Sequence, residues 1–191
     1  MLKSATRAGW FEASTADLAG LLSDHLHCER KAAENALSLV RRYPHNHHFV
    51  ETLSRLAHEE TSHVVQVSVL LAERGFTPRT DMANNYTRAL FAGVASGEPE
   101  RRVDLLLVAG LIEARSHERL QLLAAGFRQA GDRRLAEFYQ VLANAEERHA
   151  SIFVDLATLY MPQAEVQQRL DAMATREAGI IANLGFGCRV H

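Results

Sequence analysis

Two short stretches set a carboxylate three residues ahead of an imidazole. AHEETSH, residues 57–63, contains Glu60 and His63, and AEERHA, residues 145–150, contains Glu146 and His149. Residues three apart share a helix face, so each pair offers an oxygen and a nitrogen donor on the same side. The zinc-protease spacing HExxH is absent, because Ser62 stands four residues after His58. Both pairs interrupt apolar stripes of helical period, the runs 53, 57, 60, 64, 67, 71 and 135, 138, 142, 146, 149, 153, 156. Glu29 interrupts the run 22, 26, 29, 33, 37, and Glu113 interrupts 106, 110, 113, 117, 120.

Four carboxylates on core-facing stripes would repel one another and could not stay buried as unpaired ions. Two divalent cations bring +4 against −4, with the two histidines binding as neutral imidazoles. Oxygen and nitrogen donors without thiolate suit iron or manganese better than structural zinc. The expected site is therefore dinuclear, with Glu29, Glu60, His63, Glu113, Glu146 and His149 as ligands. A buried salt-bridge network, or a site that has lost its metal, is the alternative.

The elements that must position these residues are helices. Ser14 followed by Asp17 reads as a capping box that opens a first helix over about 15–42, with Leu18, Leu22, Leu26, Ala33, Leu37 and Val40 inside. After the polar turn HNHH, a second helix runs to Gly75, a plausible C-cap. Residues 75–99 form a long connection with a short helix near 83–95. Pro99 then sits in the first turn of a third helix ending near 127, Gly131-Asp132 breaks the chain, and a fourth helix covers about 133–160. A final helix follows Pro162. Two hairpins joined by a long connection are the layout of a four-helix bundle with one crossover, here in a single domain with an additional C-terminal helix. Glu29 precedes Glu60 by 31 residues and Glu113 precedes Glu146 by 33, so the hairpins repeat one ligand pattern.

Other polar residues have weaker claims. Glu34 rotates off the stripe, Glu59 and Glu147 face away from it, and His45, His47 and His48 belong to a turn. His117, one turn beyond Glu113, fits either a role beside the metals or substrate, or a satisfied core histidine. Of His25 and His27, only His25 approaches the inner stripe, with the same pair of possible roles outside the ligand set.

Composition narrows the class. The chain has 191 residues, is 47% hydrophobic and 23% charged, and carries a formal charge of −2. One well-packed domain is expected, with no uniform cationic surface. No apolar run reaches membrane-spanning length and the N-terminus lacks a signal-peptide core, so the expected location is cytoplasmic. Cys28 and Cys188, with no CxxC, read as free thiols.

The segments LSRLAHEETSHVVQVSVLLAERG, LLVAGLIEARSHERLQLLAAG and FYQVLANAEERHASIF, with the opening SDHLHCERKAAENA, resemble the MiaE family of tRNA-(2-methylthio-N6-isopentenyladenosine) hydroxylases along nearly the whole chain. The resemblance implies a ferritin-like bundle holding two non-haem iron ions, with O2 as cosubstrate and an external electron donor. It implies hydroxylation of the isopentenyl group of a modified adenosine next to the anticodon of tRNA. The family's ligand pattern falls on the same six residues. A ferroxidase or a peroxide-reducing protein would use a similar centre. Arg41-Arg42, Arg101-Arg102, and Arg128 with Arg133-Arg134 stand near helix ends, where they could meet phosphates or serve as ordinary solvated charges.

Overall fold

The computed structural model describes residues 1–187, 189 and 190, and among these the chain forms seven helices and no strand. They are α1 (Trp10–Thr15), α2 (Leu18–Arg42), α3 (His47–Glu73), α4 (Asn85–Phe91), α5 (Glu100–Gln129), α6 (Arg133–Ala157) and α7 (Gln163–Asn183). The chain divides into two compact units. One comprises residues 12–83 with 186–190, and the other comprises 1–11 with 84–185.

The first unit is the α2–α3 hairpin. Leu21, Leu22, Leu39, Phe49, Leu53, Val67, Leu70 and Leu71 form its core. Asn46 caps α3 by accepting from the Phe49 N–H at 3.0 Å, so His47 and His48 belong to the first helical turn rather than to the preceding loop. The helix closes at Gly75, whose φ of +72° allows Phe76 N–H to return to Leu71 C=O at 2.9 Å.

The expected start of α2 needs correction. Ser14 is buried at the edge of α1, and the N-cap is Asp17, whose carboxylate accepts from Gly20 N–H at 3.0 Å. Asp17 also receives the Arg79 guanidinium from the loop after α3, which holds its carboxyl below the usual range. Asp17→Ala is therefore expected to cost about 1–2 kcal/mol, from a lost cap and a surface ion pair. Chemical denaturation would show this as a lower midpoint at unchanged slope. The inner line of α2 also differs from the expectation: Leu37 is 53% exposed, and Ala36 and Leu39 are buried instead. Four-residue steps overshoot a 3.6-residue turn, so a run built from them drifts off the core face.

The second unit is built around α5 and α6, with α7 and α4 packed on α5. Gly131, at φ +82°, makes the turn between the two long helices, and Asp132 caps α6 through Leu135 N–H at 3.0 Å. Gly110 brings α5 and α6 together one turn before Glu113; a Cβ there would lie 3.2 Å from the Ala150 carbonyl. Because two sets of elements cover it, α5 is buried on most of its circumference. Its second face carries charge: Arg115 sits against Glu177 of α7, and Asp104 takes a two-point contact from Arg169 at 2.8 and 3.1 Å. Phe127 stacks on Tyr139 and meets Phe11 edge-on. No helix among the described residues is long and apolar enough to cross a membrane.

Candidate metal centre

Each long hairpin buries one Glu on its first helix and one Glu-x-x-His pair on its second. In the first, α2 supplies Glu29 and α3 supplies Glu60 and His63, with 4%, 0% and 5% exposure. Their position follows from the helical pattern: Glu29 lies on the α2 line with Leu22, His25, Ala33 and Ala36, while Glu60 and His63 lie between Leu53, Leu56, Ala57 and Val67 on α3. His63 Nδ1 is 3.3 Å from Glu29 Oε2 and 3.3 Å from Glu60 Oε2. The three residues offer donor atoms within 4.8 Å of one another.

The second unit repeats the local arrangement. Glu113 from α5 and Glu146 and His149 from α6 are all buried. His149 Nδ1 faces Glu146 Oε2 at 3.6 Å. In both hairpins, then, the imidazole turns the same ring nitrogen toward the carboxylate one turn earlier.

Electrostatics shows what such a pocket accepts. Burial disfavours a charged imidazole at His63, but hydrogen bonds and charge from Glu29 and Glu60 prevail and lift it to about 10. At neutral pH a proton on Nδ1 is the positive charge between two buried carboxylates. The donor set, carboxylate oxygens and an imidazole nitrogen, fits a hard or borderline divalent cation in place of that proton. Ligation requires the neutral imidazole, so binding expels the proton. Below about pH 10, apparent affinity should then rise about tenfold per pH unit from this group alone. Calorimetric Co(II) titrations of metal-free protein in buffers of different ionisation enthalpy should register about one more proton released by the wild type than by His63→Ala; equal release would refute the coupling.

The surrounding residues sort clearly. His25 is 1% exposed and places Nε2 2.6 Å from Glu29 Oε1. His117, partly buried, donates Nδ1–H to the Ala143 carbonyl at 2.7 Å. Glu34 is exposed and pairs with Arg30, Glu147 is exposed, and Glu59 is partly buried beside Glu60. His45, His47 and His48 are exposed, and Cys28 is a free thiol; Cys188 lies outside the described residues.

Arg41, Arg42, Arg128, Arg133 and Arg134 are exposed. Arg101 and Arg102 are partly buried and occupied locally: Arg101 donates to Ala95 C=O at 3.3 Å, and Arg102 lies 4.3 Å from the Tyr160 ring centre. Sequence reasoning passed over the buried polar group of Tyr86, Arg115, Arg119 and Glu177. Its one sequence signal was a pair of arginines four apart in the middle of α5.

Comparison with known proteins adds to this geometry. The family model described as tRNA-(MS[2]IO[6]A)-hydroxylase (MiaE) matches residues 1–191. The chain is 36% identical over 186 residues to the tRNA 2-(methylsulfanyl)-N(6)-isopentenyladenosine(37) hydroxylase of Pseudomonas putida, covering 97% of this chain and 89% of that protein. It is 26% identical over 218 aligned positions to the protein of the same name from Salmonella typhimurium, covering 90% of this chain and 79% of that one. Among solved structures, a protein with aldehyde deformylating oxygenase activity from Synechococcus superposes with a TM-score of 0.93 at 36% identity, covering 100% of this chain and 94% of that one. The expected all-helical, ferritin-like class is borne out by that likeness. Matched from end to end by the family model, and sharing more than a third of its residues with one of the hydroxylases, the chain belongs to the MiaE family.

Proposed function

We propose that the protein hydroxylates the isopentenyl group of 2-methylthio-N6-isopentenyladenosine in tRNA, next to the anticodon, using O2 and two electrons from an external donor. The observation that carries this reading is family membership over the whole chain, together with buried Glu and Glu-x-x-His donors in each hairpin. Glu29, Glu60 and His63 from one hairpin, and Glu113, Glu146 and His149 from the other, would hold two iron ions. When bound, a reduced iron pair supplies a place for O2 to be taken up and reduced. The overall balance is R–H + O2 + 2e⁻ + 2H⁺ → R–OH + H2O, so one oxygen atom enters the C–H bond and the other leaves as water.

The chain's own contribution is positioning and exclusion. The carboxylates would offset the cations' charge, and both histidines would bind as neutral imidazoles, His63 after giving up its Nδ1 proton. Leu53, Leu56, Val67, Leu142 and Phe153, all at most 2% exposed, keep water away from the donors within their own hairpins. A tRNA substrate supports a cytoplasmic location, and the two electrons call for an electron-transfer partner.

The deciding experiment supplies anaerobically iron-loaded protein, a reductant and O2 to tRNA carrying the modified adenosine, followed by mass analysis of its nucleosides. A gain of one oxygen on the isopentenyl nucleoside supports the proposal; no change under reducing conditions defeats it. A second reading follows from the Synechococcus structure, which matches at the same 36% identity as the Pseudomonas putida hydroxylase. An aldehyde offered to the same preparation tests it, because deformylation would release formate.

Docking of tRNA is assigned to the exposed arginine clusters. Replacing Arg133 and Arg134 together, or Arg41 and Arg42, should weaken tRNA binding and lower the salt slope by about one per lost phosphate contact. Turnover of the free nucleoside should change little. If salt titrations of wild type and both double variants run parallel, these clusters do not meet the phosphates. Arg101 and Arg102 make a poorer test, since their contacts to Ala95 and Tyr160 also shape the start of α5.

A further inference from the structure

We propose that His25 is a positioning residue that fixes which oxygen of Glu29 faces the metal. This rests on the dinuclear reading above but concerns a group outside its ligand set. His25 and Glu29 are four residues apart on α2, one turn along the same buried face. His25 Nε2 lies 2.6 Å from Glu29 Oε1, a short contact between two side chains that are almost wholly buried. A carboxylate accepts, so the ring nitrogen is the donor. The other oxygen, Oε2, is the one turned toward His63 Nδ1, at 3.3 Å. The two oxygens of Glu29 thus have separate tasks: Oε1 is held by His25, and Oε2 points into the cluster formed with Glu60 and His63.

Three consequences follow from elementary chemistry. Held through Oε1, Glu29 presents a single oxygen, which favours end-on over chelating ligation. A hydrogen bond to a ligating carboxylate also draws off part of its negative charge and leaves the bound cation more electron-poor. Finally, a buried carboxylate that loses this donor must find another partner or turn within its site, and either change disturbs the ligand geometry.

His117 stands four residues after Glu113, as His25 stands four before Glu29, but His117 gives its Nδ1–H to the Ala143 carbonyl. Glu29 belongs to the α2–α3 hairpin, so the contact from His25 acts on that hairpin's ligands. Loss of His25 should weaken one of the two metal positions selectively.

Simple packing of His25 in the core would be insensitive to whether its replacement can donate a hydrogen bond. His25→Gln keeps an N–H at about the reach of Nε2, whereas His25→Met has similar length and helix preference without a donor. Anaerobic Co(II) titrations of the full-length metal-free protein, followed by the visible absorption of bound Co(II), compare the two with wild type. The expected result is two equivalents in wild type, one of them weakened about 10–100-fold in His25→Met and restored to within several-fold in His25→Gln. If both variants bind as wild type does, His25 only fills space. If both lose an equivalent alike, through misfolding or because His25 is itself a ligand, the positioning role is equally overturned. Failure of the wild type to take up two ions would instead strike the dinuclear reading.

Discussion

Glu60→Ala protein retains at most one iron per chain and forms hydroxylated nucleoside at about a thousandth of the wild-type rate or less, a loss of at least ~4 kcal/mol in transition-state stabilisation. The expectation follows from the fully buried position of Glu60 and the 3.3 Å contact between its Oε2 and His63 Nδ1. Alanine removes a ligand and one of the charges that offset the cation, and it takes away one of the carboxylates that orient His63. Glu60→Gln keeps the volume and one oxygen but not the charge, so it separates shape from charge; iron content should fall in both. Iron analysis together with nucleoside mass spectrometry checks the result. An alanine variant that keeps two irons and normal turnover would remove Glu60 from the centre.

The second large effect lies in stability. Arg115 is fully buried and donates Nε and Nη2 to the two oxygens of Glu177 at 2.8 and 2.9 Å, with Tyr86 adding its hydroxyl at 3.1 Å. Burial works against the guanidinium charge, but the hydrogen bonds and charge of Glu177 prevail and hold Arg115 above its ordinary value. Neighbouring Arg119, pulled down by burial to about 10, still carries its charge at neutral pH. Glu177→Ala would leave the buried Arg115 with Glu118 as its remaining carboxylate, at a cost toward the lower end of about 3–5 kcal/mol. For a chain of this size that corresponds to a fall of about 10 °C in Tm. An apolar double replacement, Arg115→Met with Glu177→Leu, should recover much of the loss, because a buried pair contributes less than its broken half costs. A Glu177→Ala melting curve that overlays the wild type would show that the pair is not desolvated as described.

The contrast between these two sites explains what could be read from the sequence. Glu29, Glu60, Glu113 and Glu146 were visible because each breaks an apolar stripe on its own helix, and a break in a local period needs no knowledge of tertiary contacts. All four are buried, as are His63 and His149. Arg115 and Glu177 were not visible as a pair because they meet across 62 residues on the face of α5 that the stripe did not mark. Asp104 and Arg169, 65 residues apart, escaped for the same reason. Local chemistry misled at the start of α2, where Ser14 and Asp17 both suit an N-cap and the choice depended on Arg79 arriving from another element. His117 left two roles open in the sequence, and its bond to the Ala143 carbonyl accounts for one of its ring nitrogens.

The arginine cluster also bears on the order in which the chain is made. Ser4 C=O receives Arg115 Nη2–H at 2.9 Å, Thr6 N–H reaches Glu118 Oε1 at 2.7 Å, and Lys3 meets Thr175 at 3.0 Å. Residues 3–6 are thus tied to partners synthesised more than a hundred positions later. They belong to the unit completed by residues 84–185, while the α2–α3 hairpin has both its helices by residue 73. During translation residues 3–6 must wait for those partners while that hairpin can already close. Closing loops this long makes their docking a late step, reached only once Arg115 and Glu118 of α5 have been synthesised.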